Sequence, residues 1–208
     1  VSLKKIKVLE LLPEELNEAI NVLKQVREDI KLEKTTANNF AKYIALKIYG
    51  NIPVIYGFGI YKGVVQRIKT QFNENAKCLS FYACFPELNH NETVGWTGKS
   101  GLADRFVVLL IRDKDEPLEI ATRIDVTKKL VFDTRAKNVI EIFSKGRSKL
   151  AKILSTIFIG DFVSIYLAFL YSIDPTPVKI IDRLKEQLEK KVNKVRILKE
   201  DFEKILDN

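Results

Sequence analysis

Apolar residues along this chain fall into short continuous runs separated by longer segments with helical spacing. Residues 52–58 (IPVIYGF) and 105–112 (RFVVLLIR) are apolar through their middles, as strands covered on both faces of a parallel sheet are. Residues 78–85 form a third such run and read as a short buried strand; 139–143 (VIEIF) give a fourth and 130–132 a short fifth. The segment 11–30 has Pro13 at a helix start, Glu14 and Glu15 in the first turn, and Leu16, Ile20, Leu23, Val26 and Ile30 at helical spacing. Similar spacing predicts helices over 37–49, 64–72, 116–128, 148–171 and 178–191. Gly160 is expected to bend the long helix 148–171, and Pro175 and Pro177 stop it. Gly57, Gly59 and Gly63 lie between the first strand and its helix, where a backbone turn can cradle phosphate; tight βα turns need glycine for their own sake as well.

Strands alternating with helices predict a three-layer α/β/α sandwich around a parallel sheet of four or five strands, flavodoxin-like in layout. Residues 1–11 read as a lead-in, 12–191 as one domain, and 192–208 as a helical, charge-balanced tail that is solvated or packs on a partner. With 208 residues, 46% hydrophobic and 30% charged, the composition is that of an ordinary globular protein. The longest apolar stretches are interrupted by Gly160 and Asp161, so no membrane span or membrane partner is expected. No secretory signal pattern opens the sequence. Cys78 and Cys84 would stand roughly 20 Å apart in an extended strand, too far to pair, and a reduced, cytoplasmic protein is expected. The net charge of +8 is spread among acids, and no aromatic–basic cluster offers a stacking platform, so no nucleic-acid partner is expected. A modest positive field suits small anionic substrates. Abundant lysine, isoleucine and glutamate with no methionine lean towards a thermophilic source.

Candidate chemistry concentrates in residues 71–96. Asn73, Glu74, Asn75 and Lys77 precede the third apolar run. Glu87, Asn89, the lone histidine His90, Asn91 and Glu92 follow it, and the lone tryptophan, Trp96, closes the stretch. Carboxylates, amides and an imidazole gathered in loops usually serve a ligand, although an Asx turn in a solvated loop uses the same residue types. One histidine and scattered carboxylates provide no metal-ligand set, and neither metal nor organic cofactor is expected. Glu74 is expected at the carboxyl end of its helix, ahead of the strand, and His90 after it. About 23 Å of strand would separate them, so one chain cannot easily present both to one substrate.

NENAK, PELNHNE and VGW, together with GDFVSIYLAFLYSIDPTPV at 160–178, resemble the bifunctional phosphoglucose/phosphomannose isomerases of archaea and some bacteria. That family lies within the phosphoglucose isomerase superfamily and is built from two sugar isomerase (SIS) domains. The resemblance covers residues 12–188, the second half of a family member, and implies one flavodoxin-like SIS domain. It implies an aldose–ketose isomerase of glycolysis and gluconeogenesis, interconverting glucose 6-phosphate and mannose 6-phosphate with fructose 6-phosphate through an enediol. Glu74 matches the base that carries a proton between C1 and C2, and His90 the acid/base that opens the ring. A lysine on the last helix contacts the sugar oxygens; Lys185 is the match and Lys179 the fallback. Thr176 matches the residue that distinguishes mannose-competent members, and Asn89 is a further substrate-binding candidate.

The resemblance also implies that the histidine comes from the neighbouring subunit, hence a homodimer with a shared active site. Helix 148–171 and an exposed loop at Trp96 are the surfaces expected between subunits. Family members carry an N-terminal SIS domain with a Ser/Thr-rich phosphate loop and an arginine in a QPR-like motif; neither occurs in this sequence. Two readings follow: the C-terminal half of an isomerase that works with an N-terminal SIS domain, or a non-catalytic SIS module that binds sugar phosphate or dimerises.

Overall fold

The computed structural model describes residues 12–99, 101–192 and 194–206; the lead-in 1–11 lies outside them. Four strands, β1 (Ile52–Phe58), β2 (Phe81–Phe85), β3 (Phe106–Arg112) and β4 (Asn138–Phe143), form one parallel sheet in the order β2-β1-β3-β4. The helices are α1 (Pro13–Ile30), α2 (Phe40–Ile48), α3 (Lys62–Asn75), α4 (Glu92–Gly95), α5 (Leu118–Thr127), α6 (Asp133–Arg135), α7 (Lys149–Leu170), α8 (Lys179–Val192) and α9 (Lys194–Leu206). The chain divides into two compact units, Val1–Pro175 and Thr176–Asn208, the second holding α8 and α9.

β1 and β3 are central and buried beyond their first residue, as their unbroken apolar runs require. The run 78–85 behaves differently. Only Phe81–Phe85 pairs, it lies on the sheet edge, and its middle is half exposed, so the expected buried strand is an edge strand. The expected strand at 130–132 is absent; residues Lys128–Phe132 wind as a π-type turn that continues α5. That turn places Phe132, fully buried, against the ring of Tyr56 at 5.2 Å between centroids.

The two sheet faces are covered differently. On one, α3 comes so close that a Cβ at Gly57 would lie 2.7 Å from Val65 Cγ1. On the other, Tyr56 meets Phe132 and Phe85, and Trp96 meets Phe106 and Phe132. The result is the α/β/α sandwich read from the sequence, with four strands.

α7 packs against α1, α2 and α3 and is the hub of the helical layer. By length and composition alone it is apolar enough to cross a membrane, contrary to the expectation drawn from Gly160 and Asp161. Half of its most apolar window is buried within the chain, and Lys152, Ser155, Thr156 and Ser164 are buried with it, which marks a core helix. Its contacts within the chain are chiefly with α1, α2 and α3. Gly160 serves a close approach: a Cβ there would lie 2.5 Å from Ile68 Cγ1 on α3.

The carboxyl end of β3 holds a buried charge network. Arg112 bonds Glu116, Asp125 on α5 and Glu141 on β4. The next residue, Asp113, accepts from Lys152 Nζ at 2.8 Å and from the Tyr61 hydroxyl at 2.6 Å, and Tyr61 also contacts Ser144 Oγ at 2.9 Å. Burial alone would raise the Asp113 pKa, but the bonds from Lys152, Tyr61 and the Asp115 amide outweigh it and hold it below its usual value.

This packing can be tested by substitution. Gly160→Ala should destabilise the chain by about 1–3 kcal/mol in urea unfolding, and Ile68→Ala should recover part of that loss in the double variant. Gly63→Ala, where a Cβ meets open space, should be neutral or stabilising by under ~1 kcal/mol. Lys152→Met strands a buried carboxylate and should cost about 3–5 kcal/mol at pH 7. A carboxyl whose folded pKa is depressed contributes stability above its unfolded pKa and loses it as pH falls through the folded value. The gap between wild type and Lys152→Met should therefore be full at pH 7 and narrow as the pH falls below about 4; a gap that stays constant down to about pH 2 would remove Asp113 from this role.

Candidate active site

Glu74 lies in the last turn of α3, and both asparagines beside it are tied down. Asn73 Oδ1 accepts from the Ser80 amide at 3.1 Å and from Ser80 Oγ at 2.8 Å, locking the helix end to the start of β2. Asn75 Nδ2 donates to Ser164 Oγ of α7 at 2.7 Å. Lys77, in the left-handed region at φ 51°, turns its ammonium back to the Glu74 carbonyl at 2.6 Å and to the Pro175 carbonyl at 3.3 Å. Ala76 is buried. The Glu74 side chain is exposed and has no partner among the described residues.

The second motif repeats this arrangement beyond the other end of β2. After the cis Phe85–Pro86 bond, the Glu87 carboxylate accepts from Asn91 Nδ2, and Asn91 Oδ1 caps α4 by accepting from the Glu92 amide at 2.6 Å. Leu88 is fully buried. Asn89 Nδ2 donates to Thr127 Oγ1 on α5 at 2.7 Å, and its Oδ1 is buried without a partner among the described residues. Glu92 accepts from the Tyr56 hydroxyl at 2.6 Å, and Trp96 Nε1 donates to the same oxygen at 3.1 Å. Burial first, then the Glu92 carboxylate, push the Tyr56 pKa well above its usual value, so Tyr56 is a fixed hydrogen-bonding group. His90 is exposed, and its imidazole has no partner among the described residues.

The motifs therefore stand at opposite ends of an edge strand, Glu74 before β2 and His90 after it. The strand is shorter than expected, and roughly 15 Å of it still lies between them. Thr176, Lys179 and Lys185 belong to the second unit; Lys179 and Lys185 are exposed on α8. The structure thus brings together Asn89 and His90, and separately Glu74 and Lys77, within the first unit.

Trp96 departs from expectation. It is buried rather than on an exposed loop, because its ring fills the space between Phe106 and Phe132. Beside it lies a recess of about 410 Å³ walled by Val54, Phe81, Phe106 and Trp96, with Glu92 and Tyr56 as its polar groups. Neither Glu74 nor His90 lines it. Burial raises the pKa of both cysteines, Cys78 to about 11, which leaves no ready thiolate nucleophile. Among the described residues no cluster of three His, Cys, Asp or Glu side chains is placed to hold a metal. Sequence reading missed Tyr56 and Thr127, whose polar tips hold the His90 segment. Each sits in an otherwise ordinary strand or helix, and only the fold shows what its hydroxyl reaches.

The open four-stranded parallel sheet has counterparts among phosphosugar isomerase folds. Among solved structures, a glucose-6-phosphate isomerase like protein from Thermus thermophilus superposes with a TM-score of 0.68 at 23% identity, covering 78% of this chain and 54% of the other. The C-terminal domain of glucosamine-fructose-6-phosphate aminotransferase from Francisella tularensis gives 0.56 at 13% identity, covering 77% of this chain and 45% of the other. At these identities the likeness establishes the fold alone.

The family follows from sequence. The model of the bacterial phospho-glucose isomerase C-terminal SIS domain matches residues 37–188. A bifunctional phosphoglucose/phosphomannose isomerase of Caldicellulosiruptor bescii is 38% identical over 185 residues, 88% of this chain and 54% of the relative. Its counterpart from Aquifex aeolicus is 38% identical over 186 residues, covering 88% and 56%. The chain belongs to the bacterial phospho-glucose isomerase C-terminal SIS domain family. It spans about half the length of the curated relatives it matches.

The Tyr56 bridge can be tested on the isolated chain. Tyr56→Phe leaves the half-buried Glu92 and the Trp96 N–H without their shared partner. The expected loss is about 1–3 kcal/mol of unfolding free energy, followed by the emission of Trp96 itself. A loss below ~0.5 kcal/mol with an unchanged emission maximum would show that the bridge holds nothing in place.

Proposed function

We propose that this domain supplies the base and the ring-opening acid of an aldose–ketose isomerase acting on glucose 6-phosphate, and on mannose 6-phosphate, to give fructose 6-phosphate. One observation carries the reading. In each of two motifs every neighbouring side chain is buried or bonded to the fold, and only the central ionisable residue, Glu74 or His90, is left exposed and unpaired. A scaffold that fixes its flanking residues and leaves one carboxylate and one imidazole open is built for proton transfer. The names of the curated relatives, each a phosphoglucose/phosphomannose isomerase, support the substrate class.

The chemistry divides between the two residues. His90 protonates the ring oxygen and accepts the C1 hydroxyl proton as the pyranose opens. Glu74 then removes the C2 proton of the aldose and returns it to C1, passing through the enediol. Lys185, with Lys179 as the alternative, contacts the sugar oxygens, and Thr176 completes the substrate contacts; Asn89, bonded to Thr127, positions the His90 segment. The setting is cytoplasmic sugar-phosphate metabolism, as in glycolysis and gluconeogenesis. Because β2 separates Glu74 from His90, the active unit is a homodimer in which each site takes its glutamate from one subunit and its histidine from the other. The half-length match to the relatives favours action together with an N-terminal SIS domain that binds the phosphate; a non-catalytic module that binds sugar phosphate or dimerises is the second reading.

The test is complementation in the complete gene product. Glu74→Gln and His90→Ala should each lower kcat/KM by about 10²–10⁴. Mixed and allowed to exchange, they should recover about a quarter of wild-type activity, since half the dimers would be hybrids with one intact site each. No recovery despite demonstrated exchange would place both residues of a site on one chain. Unchanged turnover in Glu74→Gln would remove it as the base. Wild type without turnover, but with a melting point raised by millimolar sugar phosphate, would establish the binding module instead.

A further inference from the structure

The second unit carries an apolar pattern of which the isomerase reading uses only the flanking Lys185. From Ile181 onward apolar residues recur at heptad positions a and d: Ile181, Leu184, Leu188, Val195, Leu198, Phe202 and Ile205. The pattern stays in register across α8 and α9, and only Lys191 interrupts it at a d position. The seven side chains are between 38% and 71% exposed. The outer face is laced by polar residues, including an Arg196–Glu200 pair at 3.0 Å. α9 lies beyond the 37–188 span of the family match.

The period identifies the kind of partner. A straight helix drifts by ~20° per heptad against a strict 3.5-residue repeat, so a seam kept in heptad register over this length fits another helix better than a flat surface. Acids Asp182, Glu186, Glu189, Glu200 and Glu203 on the polar side also differ from the basic face of a membrane-surface helix.

Charge decides between partners. The e and g positions carry Lys185, Lys194 and Lys199, with one acid, Asp201, in the sequence. In a parallel pair of copies Lys194 would oppose Lys199; in an antiparallel pair Lys185 would oppose Lys199, and Lys194 its own counterpart. Self-pairing therefore sets lysine against lysine in either direction. We propose that this seam docks an amphipathic helix of another polypeptide, one whose apolar stripe is flanked by glutamate or aspartate, as a two-stranded coiled coil.

The experiment uses the whole chain and a synthetic probe of about four heptads with Ile at a, Leu at d and Glu at every e and g. A matched peptide with Lys at e and g is the control. The Glu peptide should bind about tenfold or more tightly than the Lys peptide, and the difference should shrink in high salt. Leu188→Asp with Leu198→Asp should abolish binding while leaving Trp96 emission unchanged. Lys194→Glu with Lys199→Glu should reverse the preference in favour of the Lys peptide. Equal affinity for the two peptides, or none for either, overturns the proposal. So does a dimer of the chain that Leu188→Asp and Leu198→Asp dissociate, which would make a second copy the occupant. Co-sedimentation with phosphatidylglycerol vesicles that the same pair abolishes, without peptide binding, would make it a membrane.

Discussion

Two adjacent residues at the carboxyl end of β3 hold the three layers together. Side chains alternate along a strand, so Arg112 and Asp113 reach to different neighbours. Arg112 goes to α5 and β4, while Asp113 goes to α7 and to Tyr61 at the start of α3. α5, α7 and the turn into α3 thus each have a charged or hydroxyl contact at this one corner. A network of this kind is weak evidence of net stabilisation, because desolvating its charges offsets much of their attraction. Its consequence is positional: once the charges are buried, each helix has one low-energy place to be. α7 is the helix most affected, and α7 in turn holds Asn75 through Ser164.

The outline of this arrangement was legible in the sequence where burial is two-sided. The β1 run 52–58 has the observed boundaries, and β3 differs by one residue, because a strand covered on both faces must be apolar throughout. Reading failed where a residue's partner lies far along the chain. Residues 130–132 are apolar because Phe132 packs on Tyr56, a demand a π-type turn meets as well as a strand does. Lys152 reads as a surface charge on an apolar helix until Asp113 is brought to it. Gly160 reads as a bend, yet Ile68 needs its missing side chain.

The candidate site was legible for a different reason. The identities of Glu74 and His90 came with their motifs, but the functions of the flanking residues did not. Asn73, Asn75, Asn89 and Asn91 suggested ligand contacts by their type; the fold spends each of them on a helix end, a cap or a cross-link. Amides suit that work, since one side chain both donates and accepts. The flanking positions thus serve rigidity, and Glu74 and His90 are left exposed.

The edge position of β2 gives this division a geometric meaning. A central strand has both ends crowded by neighbours on either side, so a residue beyond each end would face its own chain. β2 has a neighbour on one side only, β1, and its other flank is open. The two open groups beyond its ends therefore lie at the margin of the first unit, where an approaching molecule can meet either of them. One copy cannot close roughly 15 Å of strand, but two copies set side by side can bring the glutamate end of one against the histidine end of the other. In the proposed dimer the separation that prevents a single-chain site is what allows two equivalent shared ones.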